Sequence, residues 1–261
     1  MAGLPLPKRL LQEPLVFQPL SSPNVTRTDI YVLWRRAFGT ALAIGLDFHI
    51  LVPAAPAFAH GIGVTVEITA IATAGSLVVG MVGAAMRTLN NKIAGALATA
   101  FTEFFRNTPP LVQMYFLYFG LPLTGVRLSS LLCGIIALTI YQGAIGIELL
   151  RSGLEAVPSG QHEAAQALGL ASFDQMASVI APQAIRISLP AMSNNIISLL
   201  KNSAIVSAIG VADITGVAND LIAINFRTAE YFVAIGALYL LMAWSISVAF
   251  KIVERRLAMY A

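Results

Sequence analysis

Leu128–Leu189 reads LSSLLCGIIALTIYQGAIGIELLRSGLEAVPSGQHEAAQALGLASFDQMASVIAPQAIRISL, and its character changes partway along. Leu128–Leu150 is apolar and uncharged until Glu148. That is the length a helix needs to cross a hydrocarbon core, about 20 residues. Arg151–Leu189 is too polar to cross, yet it has the punctuation of folded structure. Ser159 follows Pro158 as a candidate N-cap, Gly169 is a natural helix terminator, and Ser172 can cap a second short helix that must end or bend at Pro182. The segment is expected to be a structured loop between two membrane-crossing helices.

The rest of the chain agrees with lipid as the solvent. Apolar residues make up 57% of it and charged residues 11%, against about a quarter charged in a soluble domain. Four further segments are long and apolar: Gly61–Met86, Asn91–Gly120, Pro190–Val211 and Tyr231–Val253. The second is interrupted by Glu103, Arg106 and Pro109-Pro110, so it reads as a broken span, or as an interfacial helix followed by a span. The expectation is an all-α, polytopic helix bundle with a five-helix core. Lys251, Arg255, Arg256, Arg151, Arg186, Arg87 and Lys92 fall on one side of such a bundle, and Arg127 and Arg227 on the other. The positive-inside rule then puts the C-terminus in the cytoplasm.

Residues 1–36 are expected to form an irregular cytoplasmic arm, with prolines at 5, 7, 14, 19 and 23. Residues 37–60 are apolar but contain Asp47, His49, Pro53 and Pro56. They allow a sixth span, an interfacial helix or, less well, a signal peptide ending at Ala59, whose charged leader would be far too long. Residues 61–256 form the core, with the polar loop at 151–189. Cys133 is the single cysteine, which excludes an intrachain disulfide, and His49, His60 and His162 have no companion ligands at metal spacing. No metal or cofactor is expected. The net charge of +3 bears on topology and gives no reason to expect nucleic acid.

Several motifs carry a resemblance. Glu163-Ala164-Ala165, then three residues, then Gly169, with Pro182 a helix length beyond, look like the EAA loop of ABC importer permeases. Arg106-Asn107-Thr108-Pro109 with Leu111-Val112-Gln113, then Glu148–Arg151, Ala156–Gln161 and Lys201–Ile205, resemble elements of the polar amino acid permease family in the same order. The departures are Asn107 for glycine, Ala181 for leucine and Asn202-Ser203 for a commoner pair. The resemblance implies an inner-membrane subunit that carries amino acids, or relatives such as opines, by alternating access. It also implies partners: two ATPase subunits, a second permease, identical or related, and an external solute-binding protein. The chain has no G-x-x-x-x-G-K-[ST] loop, so the ATPase is expected to be a separate chain and this one is not an enzyme.

Within that frame Glu163, Ala164, Ala165 and Gly169 are the expected contact with the motor, the alternative being a merely solvated amphipathic helix. Asn194, Ser198 and Asn202 recur at i, i+4 with Lys201 one residue off the line. They would line the substrate path or serve as interhelical hydrogen-bond glue, the lysine favouring the path. Pro109 frees backbone groups that lipid cannot satisfy, so the break must face protein or water, beside the pathway. Glu148 with Arg151, and Glu103 with Arg106, are spaced for structural ion pairs. Ala72, Ser76, Gly80 and Ala84 form a small-residue stripe suited to close helix packing. The competing functions are an ion-gradient-driven transporter, which calls for inverted repeats, and a membrane-embedded enzyme, which calls for clustered acids or histidines. The sequence has neither feature.

Overall fold

The structure is a computed structural model that describes residues 46–88 and 91–258, with side chains to Arg256. The expected arm at 1–36, and residues 37–45 of the possible extra helix, lie outside the described residues. The chain divides after Asp47, and every element below belongs to the unit Phe48–Ala261. Among the described residues there is no strand.

Helix α1, Leu51–Thr88, follows a single 3-10 turn at Phe48–Ile50. Its 38 residues make a rod about 57 Å long at 1.5 Å per residue, against a hydrocarbon core of about 30 Å. The backbone has no break at residue 60, so residues 51–60 and the expected span Gly61–Met86 are one helix. Pro53 falls in its first turn, where the missing N–H removes no internal bond. Pro56 is absorbed inside the helix.

Ala72, Ser76, Gly80 and Ala84 are all buried on α1, on a stripe that continues through Phe58, Gly61, Thr65 and Ile68. From Ala72 to Ala84 the stripe packs against α4, Ser130–Glu155, whose N-cap Ser129 accepts from the N–H of Leu132 at 3.3 Å. The approach requires glycine. A Cβ on Gly80 would sit 3.3 Å from the backbone carbon of Gly146, and one on Gly143 would sit 2.6 Å from the Val79 side chain.

The second expected span is two helices. α2, Lys92–Asn107, is capped by Asn91, whose side chain accepts from Ile93 and Ala94; α3, Pro110–Tyr115, runs into a π turn, Phe116–Gly120, and a 3-10 turn, Leu121–Thr124. Only three described helices are long and apolar enough to cross a membrane: Phe48–Thr88, Ser130–Glu155 and Thr228–Arg256. A fourth crossing forms if Ser172–Ile209 and Ile214–Asn225, bent by 45°, count as one span. The count of five is thus not reached by single helices among the described residues: charges and the double proline divide the second segment, and the fourth expected span qualifies only as part of a bent pair.

After α5, Ser159–Ala167, and a three-residue turn of helix, α6, Ser172–Asp174, the chain passes through a π turn, Gln175–Ile180, into α7, Ala181–Asn202. Pro182 therefore neither ends nor bends away this helix. It sits in the first turn of α7, and the wider turn before it accommodates the ring. A 3-10 turn, Ser203–Ile209, and Gly210 at φ +77° lead to α8, Ile214–Asn225, and then α9, Thr228–Ala258. One buried cluster joins Ile68 and Ala72 of α1, Met114 of α3, Ala137 and Leu138 of α4, and Leu199 and Val206. A second joins Phe58 of α1, Val217 and Ala218 of α8, and Tyr231 and Ile235 of α9. Leu240, Leu241, Trp244 and Ile252 of α9 are exposed, a surface that only lipid or another apolar chain tolerates.

Candidate functional site: a capped surface helix and a polar seam in the bundle

The polar loop folds as α5 for a backbone reason. Pro158, in extended conformation, occupies the N-cap position and makes no side-chain cap; Ser159 is the first helical residue, and likewise Ala171, not Ser172, precedes α6. The two expected serine caps are therefore absent. The other end of α5 is built fully. Gly169 has φ +71°, its N–H donates to Gln166 O at 2.9 Å, and Leu170 N–H donates to Ala165 O at 3.2 Å. Those two bonds are a complete Schellman motif, and the left-handed residue it needs is the glycine.

Ala165 is buried at 2%, while Glu163, Ala164 and Gly169 are exposed. Leu168 and Phe173, on either side of the turn, are 79% and 80% exposed. The loop thus presents a carboxylate, a small-residue surface and two apolar side chains outward from a helix anchored by one alanine. Beneath it lies a cleft of about 430 Å³ lined by Arg87, Arg151, Glu155, Ser159, His162 and Met176.

That cleft adjoins an ionic network. Arg151 Nε lies 3.1 Å from Glu148 and its other arm pairs with Glu155, while Glu148 also receives Arg87 from the end of α1. Glu148 is thus shared by two helices, and the local i, i+3 spacing showed only one of its partners. Glu103 and Arg106 lie 3.3 Å apart, about half exposed, and Asn107 also donates to Glu103 at 3.0 Å. An exposed pair of this kind is worth roughly 0.2–1 kcal/mol.

The break at Pro109 has its own repair. Pro109 and Pro110 lack N–H groups, which orphans carbonyls at the end of α2. Gln113 reaches back and donates to Phe105 O at 2.9 Å and to Thr108 O at 3.0 Å. The carboxamide supplies from a side chain the donor that Pro109 cannot give. Pro109 itself is exposed. Met114, next to Gln113, is buried with Leu199 and Val206, so α3 lies against the far end of α7.

On α7 the expected stripe is turned away from the core: Asn194 and Lys201 are exposed, Ser198 and Asn202 half-buried. The hydrogen-bond glue is the neighbouring Asn195, 8% exposed. Gln142 of α4 donates to Asn195 O at 2.7 Å and Asn195 donates to Gln142 O at 3.3 Å. Lower on the same pair of helices, Ser188 is buried against Gly153 and donates to Ala184 O at 2.8 Å.

Sequence reasoning missed the buried acids Asp213 and Glu230. Asp213, fully buried, caps α8 by accepting from Gly216 N–H at 2.9 Å and accepts the Tyr239 hydroxyl of α9 at 3.0 Å. Next to it Ile214 N–H donates to Thr65 Oγ1 of α1 at 3.2 Å. The signal was an acidic residue three places before Gly216, an N-cap spacing in the midst of apolar sequence. An aspartate inside a spanning helix costs roughly 2.5–3.5 kcal/mol on insertion scales, so this one is held for a reason.

Residues 76–259 match the family described as binding-protein-dependent transport system inner membrane component. Among similar proteins is the probable glutamine ABC transporter permease protein GlnM of Bacillus subtilis (strain 168), 35% identical over 74% of this chain and 89% of that protein. The nopaline transport system permease protein NocM of Agrobacterium fabrum (strain C58 / ATCC 33970) is 31% identical, over 77% of this chain and 88% of that one. Among solved structures, an amino acid ABC transporter crystallised with histidines aligns with TM-score 0.76 and 37% identity, covering 80% of this chain and 98% of its counterpart. A bundle of spanning helices with a rigidly capped loop helix at one end, matched along most of its length, belongs to the family of inner-membrane components of binding-protein-dependent transport systems.

Proposed function

We propose that the chain is the permease subunit of an ATP-driven importer of amino acids or opines in a bacterial cytoplasmic membrane, with its C-terminus inside. The observation that carries this reading is α5: a short helix fixed by a Schellman turn, exposed along its Glu163-Ala164 face and flanked by Leu168 and Phe173. Such a surface suits insertion into a groove of a separate ATPase, with the small residues allowing close backbone approach. Two ATPase subunits, a second permease and an external binding protein complete the assembly.

Motor movement enters at α5 and passes through the π turn into α7, which packs on α4, which in turn is locked to α1 by glycine contacts and by Arg87. The exposed Asn194–Lys201 face of α7 then lines the path, opened to each side in turn, and the Pro109 break stands beside it. Glutamine, histidine and nopaline, named for the relatives, are the first solutes to try. A gradient-driven transporter finds no support in the family or the fold.

The test is reconstitution in proteoliposomes with the ATPase subunits and binding protein. Uptake of labelled glutamine, histidine or nopaline is expected to require ATP and binding protein and to survive an ionophore that collapses ion gradients. Uptake without the ATPase would refute the proposal.

A further inference from the structure

Asp213 poses a problem that the transport reading does not solve. A helix N-cap is served about equally well by Asn, Asp or Ser, so capping α8 does not call for a charge. The carboxylate nevertheless lies fully buried at the bend between two halves of a membrane-crossing segment, where ionisation is costly. Its geometry shows what a neutral cap would weaken. One oxygen takes the Gly216 N–H of α8, and the other takes the Tyr239 hydroxyl of α9. With its proton directed at the carboxylate, the Tyr239 oxygen is free to accept from Thr215 Oγ1, 3.2 Å away. The residue after Asp213 is fastened to α1 through Thr65, and Gly61 of α1 runs so close that a Cβ there would stand 3.1 Å from the Asp213 carbonyl. Three helices therefore meet on one residue, placed where Gly210 lets the chain turn out of α7.

We infer that Asp213 is a positioning residue of the transport cycle: its carboxylate ties the half-helix α8 to α9, beside the Ile214–Thr65 bond that holds α8 to α1, so that movement of α7 is spent at the 203–213 turn and does not drag α8 along. The inference rests on the reading of α5 and α7 as the route by which ATP hydrolysis drives transport. A hydrogen bond to an ionised carboxylate is stronger than one to a neutral amide. The carboxylate makes the clamp stiff, while an amide would keep the same contacts in a softer form.

That distinction supplies the test. Asp213→Asn preserves shape and cap, and its amide can donate to Tyr239, so the protein inserts and folds; Tyr239→Phe removes the same link from α9. In proteoliposomes holding the full complex, the readout is solute moved per ATP hydrolysed, using whichever of labelled glutamine, histidine or nopaline the wild type accumulates. Both variants are expected to keep wild-type amounts of folded complex while the ratio falls about tenfold, the size expected in Asp213→Asn for trading a charge-assisted bond for a neutral one, with a comparable fall in Tyr239→Phe, which removes the bond. The double variant is expected to be no worse than either single one. An unchanged ratio in Asp213→Asn, or a loss of uptake matched by an equal loss of folded complex, would overturn the inference. A wild-type complex showing no ATP-driven uptake would instead overturn the transport reading, so the two failures are told apart.

Discussion

Replacing Gly169 with valine isolates the backbone requirement of α5. The residue holds φ +71°, and nothing lies within 4 Å of the position a Cβ would take. The substitution therefore causes no clash, and its whole effect is conformational. Forcing an L-residue into the left-handed region costs roughly 1–2 kcal/mol, with β-branched valine at the upper end. A penalty of that size depletes the capped form by about 5- to 30-fold, and the donation from Leu170 to Ala165 O goes with it. Membrane insertion is unaffected, because the position is exposed and outside the apolar helices. The assay is co-purification of the ATPase subunits, together with ATPase activity stimulated by binding protein. Gly169→Val is expected to lose both, whereas Gly169→Asn, which tolerates the left-handed region, should remain near wild type. Wild-type association in Gly169→Val, or equal damage from asparagine, would refute the argument that a Schellman turn presents the docking surface.

Gln113→Leu should leave Phe105 O and Thr108 O without their side-chain donor, costing roughly 1–3 kcal/mol for each carbonyl that water does not reach; a lowered thermal midpoint in detergent checks it, and an unchanged midpoint would count against the repair of the Pro109 break. Arg87→Met removes one of two guanidinium partners from Glu148, and a loss of about 1–3 kcal/mol is expected, read as easier thermal unfolding with Arg151 left as the sole partner. Gly153→Val would drive a side chain into Ser188 Oγ and the Ala184 carbonyl, so a fall in the yield of folded protein is the expected outcome, by loss of the α4–α7 contact. Glu163→Lys is expected to insert normally and yet fail to retain the ATPase.

What could be read from the sequence was what short-range pattern determines. Apolar length gave the helices, and the small-residue spacing at 72, 76, 80 and 84 gave the buried face of α1 because a helix repeats its face every three to four residues. Gly169 was legible as a terminator for the same local reason. The caps were misjudged because Pro158 and Ala171 take the extended conformation first, leaving Ser159 and Ser172 one residue too late. A short helix was expected to end or bend at Pro182, which instead sits in the first turn of α7, directly after a π turn. The polar contacts that tie the bundle were harder to see. Asn194 and Asn195 are adjacent, and periodicity favoured the first because Ser198 and Asn202 follow it, yet Asn195 faces Gln142, 53 residues away in sequence. The Arg87–Glu148 pair spans 61 residues, and Glu148 had a sufficient partner nearby in Arg151. Asp213 accepts from Gly216, a link that local spacing signals, but also from Tyr239 of α9, while its neighbour Ile214 donates to Thr65 of α1, and no local spacing announces those two contacts.

Site-directed labelling of position 163 tests most directly the claim that α5 is the contact for an internal motor. In a Cys133→Ala background, Glu163→Cys is exposed to a membrane-impermeant maleimide in intact and in permeabilised cells, with and without the ATPase subunits. The account predicts no labelling from outside, strong labelling after permeabilisation, and protection when the ATPase is present. Labelling in intact cells, or labelling from inside that the ATPase leaves unchanged, would contradict it.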